Sequence, residues 1–280
     1  MSGHARRVHA GLVALEAVMI LLALLYFYPI FLMFLNSLKP FGEVVANVIA
    51  LPTAITLQNY IDVVNRMRYF QLLSNNVIIT VIGVTGIVVL ASLAAYVLDR
   101  RRTRATSLAY LMIVTPMLIP FQTFMITLLK TMTVVHLAGT TWGLGIQYWG
   151  FGVPMAVFIY FNFMKTIPRE VDESARIDGA TTLRAFWSVI FPMLKTITTT
   201  VVVLDVMWIW NDFLLPLLMV NSRPETKTLV LSAYTFVGQF NTQWHYAMTA
   251  MVITVLPSIV IFVALQRNIV QGVVAGAIKG

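Results

Sequence analysis

The chain has no cysteine among its 280 residues, which excludes disulfide bonds, thiolate nucleophiles and thiolate metal sites. Charged residues are also scarce. Asp, Glu, Lys and Arg make up 11% of the sequence, whereas a soluble domain carries about 25%. A chain with so little charge is poorly suited to water, and the scarcity indicates a protein whose solvent is lipid.

Common catalytic motifs are missing as well. The sequence contains no G-x-x-x-x-G-K-[ST], so the chain has no P-loop that could bind the phosphates of a nucleotide. It contains neither G-x-S-x-G nor H-E-x-x-H, so the usual routes to hydrolysis have no support. We therefore predict a chain that is not an enzyme and binds no cofactor or metal. The histidines lie far apart and are interpreted as loop or interface residues: His4, His9, His136 and His245.

Long apolar runs dominate what is present. Hydrophobic residues make up 59% of the chain, and several uncharged runs reach the roughly 20 residues that cross a hydrocarbon core. Such runs predict an all-α polytopic membrane protein. The strands of a membrane β-barrel would instead alternate apolar and polar residues. The first run is too long for a signal peptide and is interpreted as a retained helix. We predict one transmembrane domain over 1–280 with six spans: about 12–35, 77–98, 107–129, 142–164, 197–220 and 246–265.

The basic residues predict how these spans are oriented. Six spans place both termini on one side, together with the loops 99–106 and 165–195. That side holds thirteen of the 19 Lys and Arg residues, so the positive-inside rule puts both termini and the 267–280 tail in the cytoplasm. For the same reason we do not interpret the net charge of +8 as a nucleic-acid signal.

Two of the predicted spans contain helix-breaking residues. Pro116 and Pro120 lie in the third span, and Gly150, Gly152 and Pro154 lie in the fourth. Breaks inside a membrane are tolerated where neighbouring helices or a water-filled cavity satisfy the freed backbone groups. The residues therefore indicate either kinks that serve packing or helices that line a path.

The segment from Lys165 to Lys195 holds nine charged residues between two very apolar stretches. Its pattern predicts a pair of short helices. Gly179 can adopt the left-handed backbone that ends the first, and Thr181 or Thr182 can cap the second. One interpretation is a solvated loop that only sets orientation. However, interleaved acids and bases do not help orientation, and they suit a docking surface for a partner protein.

Within this segment the chain resembles a known family. "ESARIDGATTLRAFWSVIFP" (173–192) is similar to the cytoplasmic Glu-Ala-Ala-x-x-Asp-Gly-Ala motif of permease subunits from bacterial ATP-binding-cassette (ABC) importers, with Ser174 where the family usually has Ala. "NSLKP" (36–40), "AAYVLDRR" (94–101), "WNDFLLPL" (210–217) and the tail "QRNIVQGVVAGAIKG" (266–280) resemble the carbohydrate-importer branch. The closing Gly-Ala-Ile-Lys-Gly looks like the maltose-type second permease.

The resemblance implies a type I importer permease fold in the bacterial cytoplasmic membrane. It also implies a heterodimer with a second permease, two ATPase subunits that bind ATP and Mg, and an external sugar-binding protein. The cargo would be a mono- or oligosaccharide or a related polyol, moved by alternating access.

The resemblance also implies roles for individual residues. The 165–195 loop would dock into the ATPase, with Glu173 paired to a basic residue and Gly179 permitting the turn. The tail would insert between the ATPase subunits, unless it is simply flexible. The implied ATPase-coupling residues are Glu173, Ser174, Ala175, Asp178, Gly179, Ala180 and Phe186, and the implied tail contacts are Gly276, Lys279 and Gly280.

The fifth span carries acids that are expensive in a bilayer. Asp205, Trp208 and Asp212 are spaced to share one side of a helix, and an ionised Asp at mid-bilayer rarely faces lipid. With Asn211 they are candidates for a translocation path. Alternatively, Asp205 forms a hydrogen bond that joins the two permeases.

Two rival functions use the same residues differently. An ion-coupled secondary carrier would use Asp205 as its midplane acid, and a structural scaffold would transport nothing. A carrier has no need for an ATPase-docking helix pair, and a scaffold has no need for broken helices.

Overall fold

The computed structural model of the protein describes residues 2–238 and 242–277. Within these residues all regular secondary structure is helical and there is no strand. The prediction of an all-α protein is therefore confirmed for the described part of the chain. Helices are the expected form, because a segment in lipid must satisfy its own backbone hydrogen bonds.

The helices vary widely in length, and the four longest lie in the most apolar sequence. The α-helices are α1 (Ser2–Ser37), α2 (Phe41–Ala46), α3 (Gln58–Met67), α4 (Tyr69–Arg100), α5 (Arg104–Val114), α6 (Met125–Val134), α7 (Thr141–Met164), α8 (Glu170–Ile177), α9 (Thr182–Ala185), α10 (Phe191–Met193), α11 (Lys195–Asn211), α12 (Leu214–Met219), α13 (Leu229–Ala233) and α14 (Trp244–Ala277). Short 3-10 turns lie at Thr115–Leu118, Phe121–Thr123, Pro224–Thr226 and Tyr234–Phe236, and Phe186–Ile190 is a π-helical turn.

Four of the described helices can cross a membrane by length and composition. They are Gly11–Ser37 within α1, α4, α7 and Trp244–Ala264 within α14. A fifth candidate is the pair Thr182–Met193 and Lys195–Asn211, which bends by 78°. The count of six spans stays a prediction.

The predicted spans over 107–129 and 197–220 are not continuous helices. In the first, α5 ends at Val114, two 3-10 turns follow, and α6 begins at Met125. Pro116 and Pro120 account for this, because proline lacks an N–H group and restricts the preceding residue. In the second, the break falls at Asp212, whose Oδ1 accepts from the Leu214 backbone N–H at 3.1 Å. A side chain that bonds the backbone locally competes with the helix.

The helix-breaking residues of the fourth span do not interrupt its helix. Pro154 lies inside α7, which runs without a break from Thr141 to Met164. Gly152 instead allows close packing on α4, since a Cβ there would lie 2.3 Å from the Ile87 Cδ1. Both interpretations of these residues have support: Gly152 serves packing on α4, while Gly150 and Pro154 line a cavity described below.

The chain divides into two compact units, and the expectation of one transmembrane domain stays a prediction. The first unit comprises Met1–Tyr69 and Ala233–Val255. There the Asn59 amide donates to the carbonyl oxygens of Ser37 and Lys39 at 2.9 and 2.8 Å. The Tyr246 hydroxyl donates to Asp62 at 2.6 Å, and this hydrogen bond is the main reason that the pKa of Asp62 is lowered. These bonds tie α3 to α1 and α14 within the unit.

The second unit comprises Phe70–Ser232 and Leu256–Gly280. Its core forms where α4, α7 and α11 meet the charged loop, and it includes the fully buried Ile87, Tyr148 and Phe186. Asn76 of α4 links two later segments: its amide donates to the Trp210 carbonyl at 3.3 Å, and its Oδ1 accepts from the Leu229 N–H at 2.8 Å. All candidate functional residues that the structure describes lie in this unit.

Candidate functional site

The 165–195 loop forms two short helical segments joined by a tight turn. The first is α8, and the second runs through α9, the π-helical turn and α10. Gly179 has a φ of +82°, the left-handed conformation in which a Cβ is strained, although a Cβ would meet no other atom within 4 Å. Thr181 caps the second segment by accepting from the Arg184 N–H at 3.3 Å.

A buried ionic cluster fixes this loop to α4. Asp172 of α8 accepts from the Tyr96 hydroxyl at 2.6 Å and from the Arg100 Nε at 2.7 Å. Arg100 also pairs with the buried Asp99 at 2.7 Å, and the Arg169 guanidinium donates to the Asp99 carbonyl at 3.1 Å. Of the nine charged residues of the loop, the buried Asp172 and the exposed Arg169 therefore both bond to α4 and hold the loop on it.

Apolar contacts strengthen the same attachment. Ala175, Ala185, Phe186 and Ile190 are buried, and the Phe186 ring lies 5.1 Å from the Tyr96 ring. Ala175 and Phe186, implied by the resemblance as coupling residues, thus contribute to the packing of the loop itself.

The outer face of the loop combines charges with exposed aliphatic side chains. Ile177 is 86% exposed and Leu183 is 60% exposed. Leu183 lies in the first turn of the second segment and does not share the buried face of Phe186 and Ile190. The exposed neighbours from the motif are Glu173, Ser174, Asp178 and Gly179, and Ala180 is partly buried.

The tail is only partly described. Helix α14 continues to Ala277, so Gly276 lies in its last turn. Lys279 and Gly280 lie outside the described residues. The role implied for the tail stays a prediction.

Three of the four candidate path residues, which lie on α11 or directly after it, are engaged by neighbours. The Trp208 ring contacts the Tyr148 ring edge-on at 5.3 Å and 85°, and the Tyr148 hydroxyl donates to Asp212 at 2.8 Å. Asn211 accepts from the Ser258 hydroxyl at 3.0 Å. Asp205 differs, because its buried Oδ2 has no hydrogen-bond partner among the described residues.

Trp208 also lines a cavity of about 560 Å³. The cavity lies between α7 and the broken segment that contains Pro116 and Pro120. A second cavity of about 160 Å³ includes both Trp208 and Asp212 in its lining. Asp205 lines neither of these two cavities.

Sequence reasoning missed two sets of residues here. Gln147 lines the larger cavity, and its only signal is that it is a long polar side chain in the charge-free fourth span. Tyr96, Asp99 and Arg100 were noticed only as part of a family-like stretch. Their contacts with the loop connect residues more than 65 positions apart, which no local pattern reveals.

Comparison with known proteins identifies the chain. Residues 87–275 match the family described as the binding-protein-dependent transport system inner membrane component. The chain belongs to this family. The resemblance to ABC-importer permeases is thereby confirmed, and its place among membrane-embedded permeases agrees with the long apolar helices.

Full-length relatives support the same assignment. The chain is 36% identical to the probable starch degradation products transport system permease protein of Thermoanaerobacterium thermosulfurigenes, over 98% of this chain and 99% of the relative. It is 31% identical to the multiple sugar-binding transport system permease protein of Streptococcus mutans, over 91% of this chain and 93% of the relative.

A solved structure shares the fold. It belongs to a bacterial ABC transporter involved in the import of the acidic polysaccharide alginate. The match has a TM-score of 0.80 and covers 95% of this chain and 98% of the other, at 21% identity.

Proposed function

We propose that this chain is the permease subunit of an ATP-driven importer that moves a sugar across the bacterial cytoplasmic membrane by alternating access. The cargo is a mono- or oligosaccharide or a related polyol. Relatives that match over most of their length are named for starch degradation products, for multiple sugars, and for melibiose, raffinose and stachyose. Their shared carbohydrate chemistry supports this choice of substrate class.

The observation that carries the proposal is the helix pair over 165–195. Its outer face exposes Glu173, Ile177 and Leu183, while Asp172 is bound to α4. A surface that is exposed on one side and fixed on the other can pass a rigid-body movement of a partner into the membrane helices. Neither an ion-coupled carrier nor a scaffold needs such an element.

The complete transporter would contain several chains. This chain would pair with a second permease, and two ATPase subunits would bind ATP and Mg and dock on the coupling loops. An external sugar-binding protein would deliver the cargo. Both termini would lie in the cytoplasm, where the tail reaches the ATPases, and this chain would bind no cofactor.

Helix α11 would supply part of the path. Trp208 lines both cavities described above, and Asp212 lines the smaller one. Asn211 and Asp205 lie on the same helix. The unpaired Asp205 oxygen has two possible uses: a wall of the path, or a hydrogen bond to the second permease.

Transport by the complete complex in proteoliposomes tests the proposal. Sugar uptake is expected to require ATP on the ATPase side and to persist when ionophores collapse proton and sodium gradients. Uptake that needs a gradient and proceeds without ATP would instead identify the ion-coupled carrier. Asp205→Asn separates these functions further, because a carrier that relies on a titrating acid would lose gradient-driven uptake.

A further inference from the structure

The cavity between α7 and the broken segment has an unusual polar group in its wall. Gln147 is 5% exposed, and neither its Nε2 nor its Oε1 has a hydrogen-bond partner among the described residues. Leaving both ends of a buried amide unpaired is unfavourable. Both amide atoms are sealed from solvent in this conformation, so a ligand that can donate and accept hydrogen bonds would remove this penalty once the side chain turns toward the cavity that it lines.

The rest of the wall is apolar and aromatic. Phe121, Phe124, Phe151 and Trp208 all line the cavity, and Trp208 is 41% exposed. A volume of about 560 Å³ falls in the range of roughly 300–1,000 Å³ that is usual for small-molecule sites. Aromatic faces with one well-placed polar group match a sugar ring, which has apolar C–H faces and hydroxyl groups at its rim.

The electrostatic character of the wall favours a neutral ligand. Its lining contains no charged side chain among the described residues. The neighbouring cavity, which also includes Trp208, contains the Asp212 carboxylate. A uronate would lose water without gaining a positive partner and would meet a negative group nearby.

We propose that this cavity is a subsite for one neutral sugar ring of the transported cargo, with Gln147 as its hydrogen-bonding group and Trp208 as its apolar platform. The inference rests on the proposed function, because its ligand is the imported sugar, and it goes further by assigning part of the sugar contact to this chain. It also assigns the site to neutral rather than acidic saccharides. A lipid acyl chain in the same cavity would leave the Gln147 amide unpaired.

Two variants and two matched controls test the site. The variants are Gln147→Leu and Trp208→Ala. The controls are Gln122→Leu, an exposed glutamine of the broken segment, and Trp142→Ala, an exposed tryptophan of α7; neither residue lines the cavity. All are made in the complete transporter with its partner permease, ATPases and sugar-binding protein.

The first readout is sugar held by the complex trapped with ATP and vanadate. Labelled maltotriose and raffinose serve as neutral probes, and labelled trimannuronate serves as the acidic probe. Loss of a hydrogen bond or of the aromatic platform is expected to lower neutral-sugar retention and sugar imported per ATP about tenfold. The two control variants are expected to keep the wild-type neutral-sugar retention and the wild-type amount of sugar imported per ATP. The trapped wild-type complex is expected to hold no trimannuronate.

The second readout is the thermal stability of the purified complex. Replacing an unpaired buried amide by leucine removes a penalty, so Gln147→Leu is expected to melt at an equal or higher temperature while it transports less. A Gln147→Leu variant that no longer co-purifies with the second permease would make Gln147 an interface group and would overturn the inference.

The outcomes separate the site from the proposed function. Suppose that the wild-type complex imports the neutral probes with ATP, and that both variants retain and import as much sugar as their controls. The cavity then holds no sugar, and the inference is wrong while the proposed function stands. Retention of trimannuronate equal to that of the neutral sugars would also overturn it. Absence of ATP-dependent import by the wild-type complex would overturn the proposed function and this inference with it.

Discussion

Glu173 is exposed on α8 at the position where the resemblance implies a basic partner on the ATPase. Glu173→Lys would place two positive groups together. We expect ATPase binding to weaken by about tenfold or more, which corresponds to about 1.4 kcal/mol, and sugar-stimulated ATP hydrolysis to fall with it. Co-purification of the ATPase and its stimulated activity measure both effects.

Glu170→Lys is the matched control for Glu173→Lys, because it makes the same charge change at an exposed position of the same helix. It should leave docking near the unmutated level. Equal activity of the Glu173→Lys and wild-type transporters would show that Glu173 has no part in docking.

Gly179 is constrained by its backbone and not by its surroundings, since its φ is +82° and a Cβ would meet nothing within 4 Å. Left-handed backbone costs an ordinary residue about 1–2 kcal/mol, while Asn tolerates it better. Gly179→Val is therefore expected to disable transport, and Gly179→Asn to retain most of it. ATP-dependent uptake measures the difference, and similar activity in the two variants would argue against a conformational role.

At the scale of the element, the 165–195 loop depends on its buried anchor. Asp172 and Arg100 have side chains that are 6% and 9% exposed and meet at 2.7 Å. Removing one partner of a buried ion pair costs about 3–5 kcal/mol, so Asp172→Ala should loosen the loop from α4. We expect faster proteolysis within 165–195 and a lower melting temperature of the complex.

The exposed Asp178 supplies the control for this anchor, because Asp178→Ala changes the same charge without breaking a buried pair. If the Asp172→Ala and Asp178→Ala variants were equally resistant to protease, the apolar contacts alone would hold the loop on α4.

Helices also show what the sequence could and could not predict. The long apolar helices and the helix pair follow from local signals: uncharged runs, a glycine at the turn and a capping threonine. Pro154 leaves its helix continuous, because a helix inside a membrane can accommodate proline. The break at Asp212 depends on one side-chain bond to the backbone, and the anchor of Asp172 depends on partners 72 and 76 positions away.

At the scale of the whole molecule, the tail offers a separate test of assembly with the ATPases. Deletion of 273–280 is expected to lower stimulated ATP hydrolysis severalfold while membrane insertion stays intact, because the membrane-spanning part of α14 ends well before it. ATPase assays on the purified complex and membrane fractionation provide the two measurements. Normal coupling in the truncated transporter would mean that the tail is only a flexible end.

The polar residues that anchor the 165–195 loop also bear on the order in which the chain can fold during synthesis. Tyr96, Asp99 and Arg100, which bind Asp172 and Arg169, all precede the loop in the sequence. Synthesis runs from the N-terminus, so every polar anchor has been translated before residue 195 leaves the ribosome. The surface proposed for the ATPase can therefore fix its polar contacts on a nascent chain, while most of α11 and all of α12 to α14 have yet to emerge from the ribosome.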